Sequence, residues 1–540
     1  MTKVYDTATD LITFARGSSA ATALRRVGYG ENLVDNDDFT SGLTSWEQDE
    51  TAFSVVGDEL VYDASGDGLR FGQVVNFAAG KVYQLTFDAT ISSTFRVQLV
   101  NQISNDVGAQ IIGDVSTGAN TVVFVPNSSF TYLVFRRLGK NSNSTFDNIS
   151  VKEVIFDRAT DDLVLFNHPD DIPRIEYAAD GTLKGLLIEE QRSNFETESN
   201  PANPNGWGQI NLDYGTQTLR TKGPDGVTDS IFKVQENTTT GTHYFTEAVT
   251  TSVGTNTFSC IVKDAGDGRW VYWRTNNDGA NQWINVNPAT GEVTEVGTAV
   301  NDYGVIDLGN GFYRLWFSCD SADGLSGWVL ATSNTATPGN SIPSFTGTSE
   351  AGFYCGFVQV EAGSFATSYI PTSGGQSTRS PDIASIPVSA FGYNQEAGTV
   401  VVEFDMIANH GAAGGSSLTQ AAFGFHDGTS SNRLELWTAS VGQLTLRDRT
   451  ASANFDAVSS GNSLEQSTKS AASYASGEAS KLVVNGGTAL VAGTATTPPA
   501  YSTLLLGDTQ NINAELNGHI KSMKYYPRRL TNTQLQELTS

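Results

Sequence analysis

Short runs of alternating apolar and polar residues, each followed by a turn signal, recur along the whole chain. In the first third, "VYQLTFDATI", "TFRVQLVNQI", "NTVVFVP" and "FTYLVFRRLG" succeed one another with Gly and Asn between them. Runs rich in Val, Phe, Tyr, Ile and Thr favour β-strands, and regularly spaced short strands are typical of sandwiches and jelly rolls. The sequence therefore predicts an all-β chain of tandem jelly-roll or β-sandwich domains.

The chain has 540 residues, which is too long for one hydrophobic core. An Asp-Gly turn at Asp180–Gly181, between two β-type runs, predicts a β-hairpin connector. The C-terminal "TNTQLQELTS" predicts a short helix that is capped by Thr531. The predicted parts are an N-terminal segment 1–31, a jelly roll 32–154, the connector 155–200, a second jelly-roll sandwich 201–382 and a third sandwich 383–540.

Acidic residues dominate, with 58 Asp and Glu against 32 Lys and Arg, a net charge of −26. Such a negatively charged surface does not attract nucleic acid or an anionic membrane, so neither partner is expected. The first 30 residues are the exception, because four basic residues outnumber two acidic ones. This segment is interpreted either as an exposed tail or as a docking segment for a larger assembly.

No apolar leader opens the sequence, and no run is long enough to span a bilayer. We therefore expect a soluble protein that is made in the cytoplasm without a secretory signal. If it acts outside the cell, it leaves by another route, such as lysis.

The stretch "GTLKGLLIEEQRSN", preceded by "FDRAT" (Phe156–Thr160) and "PRIEY" (Pro173–Tyr177), resembles a connector in structural proteins of tailed bacteriophages. In that family the connector precedes a β-sandwich that ends in a phrase like "QVEAGSFATSYIPTSGGQSTRSPD". Here that phrase occupies Gln359 to Asp382, and "LGNGFYRLWFSC" (Leu308–Cys319) resembles the penultimate strands. The resemblance covers roughly residues 155–382.

Two further resemblances flank this region. The opening "NLVDNDDF" (Asn32–Phe39) and closing "FDNISVKEV" (Phe146–Val154) resemble jelly-roll carbohydrate-binding modules. The C-terminal "GHIKSMKYYPRRLTNTQLQELT" resembles the laminin-G or concanavalin A-like fold of phage tail and virion proteins. "FARGSSAAT" (Phe14–Thr22) echoes "FDRAT", so the first jelly roll is either inserted into the connector or duplicated around it.

These resemblances imply a non-enzymatic virion protein, a tail fibre, tail spike or head fibre that binds host-surface glycans. They also imply a homotrimer located in the virion and docked on other virion proteins through its N-terminal segment. One alternative is a head-decoration or adaptor protein that reuses sugar-binding folds for assembly. Another is a tail-spike polysaccharide depolymerase, although no block of sequence is left for a catalytic β-helix.

Adjacent carboxylates at Glu189 and Glu190 invite a catalytic interpretation, because glycosidases use paired carboxylates. Neighbouring residues of a strand point to opposite faces, so these two cannot flank one glycosidic bond. We expect instead that one of them pairs with Arg192 or Arg174 and fixes the connector. No catalytic residue is predicted.

Structural calcium is the one cofactor that the resemblances imply. In the jelly-roll modules, oxygens near the first strand meet an Asp near the last strand and hold the ion, which makes Asn36, Asp38 and Asp147 candidates. Asp427 and Asn432, in "FHDGTSSNRLELW", are candidates for calcium or glycan in the third sandwich. The alternative for the first set is a solvated acidic turn.

Aromatic side chains are the candidates for glycan contact, because sugar faces stack on Trp and Tyr rings. In "RWVYWRTN", Trp270 and Tyr272 share one strand face, and one of the two faces should be core. In "FYRLWFSC", Arg314 and Trp316 are predicted to face outward. Trp46 is the candidate in the first jelly roll, and for each Trp a core or interface position is the alternative.

Histidines and cysteines carry no recognisable site. His168, His243, His410, His426 and His519 lack metal-ligand spacing. Cys260, Cys319 and Cys355 are odd in number and widely spaced, so we expect buried free thiols.

Overall fold

Strands make up nearly all of the regular structure, which confirms the predicted all-β class and its tandem sandwiches. Among the described residues, no helix is long and apolar enough to cross a membrane. The computed structural model describes residues 12–18, 20–48, 52–62, 69–138, 144–200, 207–213, 220–276, 281–322, 324–407, 420–440, 443–459, 466–493, 497–510 and 514–540.

The chain forms two compact units. The inserted unit is Arg26–Asp162, and the main unit consists of the residues before and after it. The chain thus leaves the main unit and later returns to it. This agrees with the interpretation that the first jelly roll is inserted into the connector.

The inserted unit is a sandwich of two sheets whose core contains Phe71, Leu85, Phe135 and Phe146. Alternate residues of each strand point inward, so the apolar positions of the sequence runs meet between the sheets. After β1 (Thr13–Ala15), its strands are β2 (Thr22–Asn32, which begins in the main unit), β3 (Glu47–Gln48), β4 (Phe53–Val56), β5 (Glu59–Tyr62), β6 (Arg70–Phe77), β7 (Tyr83–Thr90), β8 (Phe95–Val100), β9 (Gln110–Asp114), β10 (Gly118–Phe124), β11 (Phe130–Arg137) and β12 (Ser144–Phe156). The sheet orders are β10-β7-β12-β2, with β5 and β4 beside β12, and β3-β6-β11-β8-β9.

The connector contains the predicted hairpin. Its strands are β13 (Asp162–Asn167), β14 (Ile175–Tyr177), β15 (Leu183–Ile188) and β16 (Arg192–Asn194). β14 and β15 pair antiparallel around Gly181, whose φ of +83° is a left-handed conformation that favours glycine. The residue pair Asp180–Gly181 therefore acts as the turn that the sequence predicts.

The second sandwich packs two six-stranded sheets around Phe258, Trp273, Phe317 and Val360. Their orders are β17-β21-β28-β23-β24-β25 and β18-β19-β30-β22-β27-β26, and β20 pairs with β29. The strands are β17 (Gly208–Ile210), β18 (Arg220–Thr221), β19 (Ile231–Gln235), β20 (Thr240–Thr242), β21 (Tyr244–Thr250), β22 (Gly254–Asp264), β23 (Trp270–Thr275), β24 (Trp283–Val286), β25 (Val293–Val296), β26 (Asp302–Gly309), β27 (Phe312–Ser321), β28 (Leu325–Ser333), β29 (Ser344–Thr346) and β30 (Gly352–Ala362).

The third sandwich packs two seven-stranded sheets around Val402, Phe425, Leu436 and Leu446. One sheet is β1-β32-β41-β34-β35-β36-β37, and the other is β14-β15-β42-β33-β38-β39-β40. The remaining strands are β31 (Ser377–Arg379), β32 (Ile383–Pro387), β33 (Ala397–Met406), β34 (Ala421–His426), β35 (Arg433–Ser440), β36 (Gln443–Thr450), β37 (Ala453–Val458), β38 (Thr468–Ala475), β39 (Glu478–Val484), β40 (Leu490–Val491), β41 (Thr503–Leu506) and β42 (Gly518–Tyr526), and a 3-10 turn covers Val388–Ala390.

Helix α1 (Asn532–Thr539) follows the last strand, as predicted. The Gln534 amide donates to Thr531 Oγ1 at 3.3 Å, and the Gln534 side chain accepts from the Thr531 amide at 3.0 Å. This reciprocal cap satisfies two amides that the first turn leaves unpaired. Leu535 is fully buried and anchors the helix on the sandwich.

Two segments that are distant in sequence complete the sheets of the third sandwich. β1 pairs with β32, and β15 of the hairpin pairs with β42. From Ile12 onward, the N-terminal segment is therefore part of a sandwich and not a tail. Residues 1–11 lie outside the described residues, so docking on virion proteins stays a prediction.

Candidate functional site

Glu189 and Glu190 follow strand β15 and are held by different arginines. Glu189 is fully buried and lies 2.6 Å from Arg174 Nη1 and 3.1 Å from Arg379 Nη1, whereas Glu190 pairs with Arg192 at 2.5 Å. Burial by itself would raise the pKa of Glu189, but the charges of Arg379 and Arg174 outweigh it and lower that pKa to about 2. The prediction that one of these carboxylates pairs with Arg192 or Arg174 is confirmed, since Glu189 pairs with Arg174 and Glu190 pairs with Arg192.

Asp382 extends this buried ion cluster. It pairs with Arg174 and, at 3.3 Å, with Arg16 of the N-terminal segment, and all three side chains are fully buried. β16 also pairs with β31 in the phrase that ends the second sandwich. The two separated phrases of the phage-like pattern therefore meet in one buried joint.

Three of the predicted glycan contacts are buried. Trp46 is 8% exposed and packs 5.2 Å from the Phe39 ring, and Tyr272 is fully buried and stacks on Trp283. Arg314 is 5% exposed, and it donates to the Thr367 carbonyl at 2.5 Å and to Ser259 Oγ at 2.8 Å. The prediction that Arg314 faces outward is wrong, because the chain around Thr367 covers this face of the sheet.

Trp270 and Trp316 are half-buried and lie in different sheets of the second sandwich. Trp316 lies against Gly304, where an added Cβ would come within 2.6 Å of the indole Nε1. Glycine at this position lets the ring lie close to the neighbouring strand. The structure does not bring Trp316 together with Trp270.

The calcium candidates of the inserted unit hold their own loops. Asn36 Nδ2 donates to the Gly42 carbonyl at 2.8 Å, Asp38 Oδ1 accepts from Thr40 Oγ1 at 2.8 Å, and Asp147 Oδ1 accepts from the Asn148 amide at 2.8 Å. These bonds are those of polar turns. The described part of the chain contains no group of three or more His, Cys, Asp or Glu that could hold a metal ion.

Asp427 and Asn432 are brought together, because Asn432 Nδ2 donates to Asp427 Oδ2 at 2.7 Å across the β34–β35 turn. The Asn432 side-chain oxygen accepts from the Ala451 amide at 2.9 Å. Both side chains thus serve the turn. Among the five histidines, His410 lies outside the described residues. The three cysteines are buried and free.

The strands that follow this turn carry a polar surface, which we call the arginine face. Leu434 and Leu436 of β35 and Leu444 and Leu446 of β36 belong to the core. Since side chains alternate along a strand, the residues between them lie on the opposite side of the sheet. The arginine face consists of Arg433, Glu435, Trp437, Arg447, Arg449 and Asp456.

Strand register places these six residues beside one another. Arg433 lies opposite Arg449, and Glu435 lies opposite Arg447. Arg447 in turn lies opposite Asp456 on β37. Residues in such positions are close enough for their side chains to interact directly.

Arg447 joins an aromatic and an acidic group on this face. Its Nε and Nη2 donate to the two Asp456 carboxylate oxygens at 2.9 Å each, and its Cζ lies 4.6 Å from the centre of a Trp437 ring. The bond to Asp456 raises the pKa of Arg447. Trp437 and Arg447 are half-buried and Asp456 is exposed, so the group is accessible to a ligand.

Four polar atoms of the face are buried without a hydrogen-bond partner within the described structure: Arg433 Nε, Arg449 Nε, Glu435 Oε2 and Trp437 Nε1. Arg433 Nη1 lies 3.3 Å from Glu435 Oε2, in ion-pair range but without hydrogen-bond geometry. Burial raises the pKa of Glu435 and lowers that of Arg433. Such atoms also occur elsewhere in the described structure, so it is their position beside the half-buried Trp437 and Arg447 that marks a candidate binding surface.

Sequence patterns did not identify this face, because two separate strands form it and only their register places its residues beside one another. The signal is the pattern Arg-Leu-Glu-Leu-Trp at 433–437, in which every second residue is polar or amphipathic. The facing run Leu-Arg-Asp-Arg at 446–449 repeats the alternation in part. Such a pattern predicts a strand with one core face and one polar face.

Comparison with protein-family models and with curated protein sequences finds no match. Similar solved structures include a heptameric SAP-like pentraxin from Limulus polyphemus, at 16% identity and TM-score 0.22, covering 28% of this chain and 74% of that one. Mouse laminin alpha1 chain domains LG4-5 match at 10% identity and TM-score 0.21, covering 55% and 88%. The CBM22-1-CBM22-2 tandem domain of Paenibacillus barcinonensis Xyn10C matches at 12% and 0.19, covering 64% and 100%. With identities and TM-scores this low, these likenesses do not establish a family or a function.

Proposed function

We propose that the protein is a glycan-binding fibre or spike component of a tailed-phage virion, and that the arginine face is its glycan site. The observation that carries glycan binding is the group of Trp437, Arg447 and Asp456 on one outward sheet face. An indole can stack on the apolar face of a sugar, while guanidinium and carboxylate groups bond to its hydroxyls. The phage origin is supported by the connector phrases, which meet in a buried joint.

A shallow face of this kind binds a single sugar weakly. We propose a homotrimer, which would present three copies and raise avidity. The proposal includes no catalytic step, so incubation with a bound polysaccharide should leave its chain length unchanged. Progressive shortening of the chains would instead establish a depolymerase.

The first test compares Trp437→Ala with Trp316→Ala for binding to an array of bacterial surface glycans. Trp437→Ala should weaken binding at least tenfold, roughly the worth of one aromatic contact. Trp316→Ala makes the same change at a half-buried tryptophan in another sandwich and should bind like wild type. Loss in Trp316→Ala alone would move the site to the second sandwich, and no binding by wild type to any surface glycan would contradict the proposed function.

A structural adaptor is the second candidate, and the buried ion cluster favours it. Arg16, Arg174 and Asp382 come from three separated segments and are fully buried together. Such a cluster holds those segments in a fixed arrangement, as an assembly part requires. Trp437→Ala should lower adsorption of virions to host cells if the protein is a glycan-binding fibre, and it should leave both adsorption and virion assembly unchanged if the protein is an adaptor.

A further inference from the structure

We propose that the arginine face recognises an acidic glycan, and that a carboxylate or sulfate ester on the sugar lies between the guanidinium groups of Arg433 and Arg449. This inference rests on the proposed function and names the substrate class of the same site. Three observations support it. The strand register places Arg433 opposite Arg449, buried polar atoms of the face lack hydrogen-bond partners, and a similar row of arginines in the inserted unit is fully paired with carboxylates.

Arg433 and Arg449 are directly opposite each other on neighbouring strands. Like charges in this position destabilise a sheet unless a counter-charge lies between or beside them. Two guanidinium groups at cross-strand distance can hold one carboxylate or sulfate with several charge-assisted hydrogen bonds. The pair therefore favours a bound anion, which would approach from the half-buried Arg449 because Arg433 is only 5% exposed.

The acidic residues of the face leave this pair incompletely neutralised. Asp456 accepts hydrogen bonds from Nε and Nη2 of Arg447. Glu435 is in ion-pair range of Arg433 but accepts no hydrogen bond at Oε2. Arg449 has no ion pair with any described residue, and its Nε has no hydrogen-bond partner. Three arginines against two carboxylates leave one positive charge, in a chain with a net charge of −26.

A second arginine row, in the inserted unit, shows how the chain neutralises such a row internally. Arg136 lies opposite both Arg70 and Arg96. Asp106 lies 2.9 Å from Arg70 and 2.6 Å from Arg136, and Asp114 lies 3.0 Å from Arg96. Every arginine of that row thus has a carboxylate. The arginine face is different because Arg449 does not.

The neighbouring groups fit an acidic sugar better than a free ion. Trp437 is the residue next along the same face from Glu435, and the Arg447 guanidinium lies over its ring. Arg433 and Trp437 are four residues apart, about 13 Å along the strand. A glycan could therefore place one sugar near Trp437 and the acidic substituent of the next sugar at the Arg433–Arg449 pair. A free inorganic anion would use the arginines alone and gain nothing from the indole.

The test measures binding of four probes by calorimetry: oligogalacturonate, its methyl ester, dextran sulfate and dextran. The methyl ester removes the charge of each carboxylate and keeps the sugar ring. Wild type should bind at least one acidic probe about tenfold more tightly than its neutral counterpart, the effect expected of one charge-assisted contact. The galacturonate and sulfate arms tell a carboxylate from a sulfate ester.

Arg449→Gln and Arg433→Gln should each remove that preference for the acidic probe. Arg528→Gln makes the same charge change at an exposed position of the same sandwich and should bind like wild type. Thermal unfolding provides the folding control. Because Arg449→Gln removes a like charge, its melting temperature should equal or exceed that of wild type.

Equal binding of acidic and neutral probes, with both lost in Trp437→Ala, would overturn this inference and leave the proposed function standing. If Arg449→Gln and Arg528→Gln lost the preference for the acidic probe equally, the preference would come from the net charge of the protein and not from this site. That result would also overturn the inference. Binding of neither acidic probe would also overturn the inference, while the proposed function would still be judged by the glycan array.

Discussion

Whether a buried residue of this protein carries a charge depends on the groups that surround it. His519 is the clearest case: its Nδ1 lies 2.7 Å from Asp405 Oδ1 and its Nε2 lies 2.6 Å from Glu176 Oε2. Both ring nitrogens face carboxylate oxygens, so both donate only when the imidazole is protonated. Burial would lower the pKa of His519, but its bonds to Asp405 and Glu176 outweigh burial and raise it.

This raised pKa predicts a pH-dependent stability of the third sandwich. Since the pKa of His519 is higher in the folded than in the unfolded state, its stabilising effect is complete below about pH 6.5 and is lost as pH rises through the folded-state value. His519→Gln should cost about 2 kcal/mol at the low-pH end and remove that pH dependence. Urea unfolding on either side of the window measures both effects.

His426 in the same sandwich is the control. Burial lowers its pKa, and its Nδ1 accepts from the Gly428 amide at 3.0 Å, so it is a neutral histidine. His426→Gln should leave the loss of stability at higher pH unchanged. If His426→Gln and not His519→Gln flattened the profile, the assignment of His519 as the titrating group would be wrong.

At the level of elements, a buried ion cluster joins the segments around the hairpin, in addition to the apolar contacts that Leu186 and Ile188 make in the core of the third sandwich. Glu189 lies between Arg174 and Arg379 and also accepts from the Ser368 amide and hydroxyl, at 2.7 Å and 2.6 Å. A buried ion cluster gives little net stability, yet removing one member leaves an uncompensated charge. The joint is therefore sensitive to single substitutions.

Glu189→Gln should destabilise the main unit by about 3–5 kcal/mol, because Arg174 and Arg379 would lose a buried counter-charge. Glu190→Gln, one residue further along, is the matched control. Glu190 is partly exposed and pairs with Arg192, so its replacement should cost about 1 kcal/mol or less. Similar unfolding free energies for both variants would contradict a structural role that is specific to Glu189.

Sequence patterns identified most strands and the helix, but they did not show which other segments of the chain pack over the strand faces. The hairpin at Asp180–Gly181 and helix α1 were predictable because their signals are local, in turn and capping residues. Alternation in "FYRLWFSC" correctly separated Leu315 and Phe317 from Arg314, yet it could not show that the chain near Thr367 covers Arg314. The arginine face needed the register of β35 and β36, which no single run contains.

On the scale of the whole molecule, the sequence of one compact unit is inserted between the two parts of the sequence of the other. The inserted unit has its own core around Phe71 and Leu85, and the main unit has separate cores around Trp273 and Leu436. Units with independent cores are expected to unfold in separate steps.

Leu85→Ala tests this independence. Leu85 is fully buried in the inserted unit, so its truncation should cost about 2–5 kcal/mol and lower only one calorimetric transition. Leu436→Ala makes the same change in the third sandwich and should lower a different transition. A uniform shift of every transition by either variant would mean that the two units unfold as one.

The insertion also determines what one proteolytic cut can do. The chain passes between the units twice, near Arg25–Arg26 and near Asp162–Leu163. A nick at the first crossing leaves the jelly roll covalently attached through the second. The short N-terminal fragment would then remain bound through the pairing of β1 with β32 and the buried Arg16–Asp382 ion pair. Nicked protein should therefore keep its native mass until it is denatured, and release of the jelly roll requires both crossings to be cut.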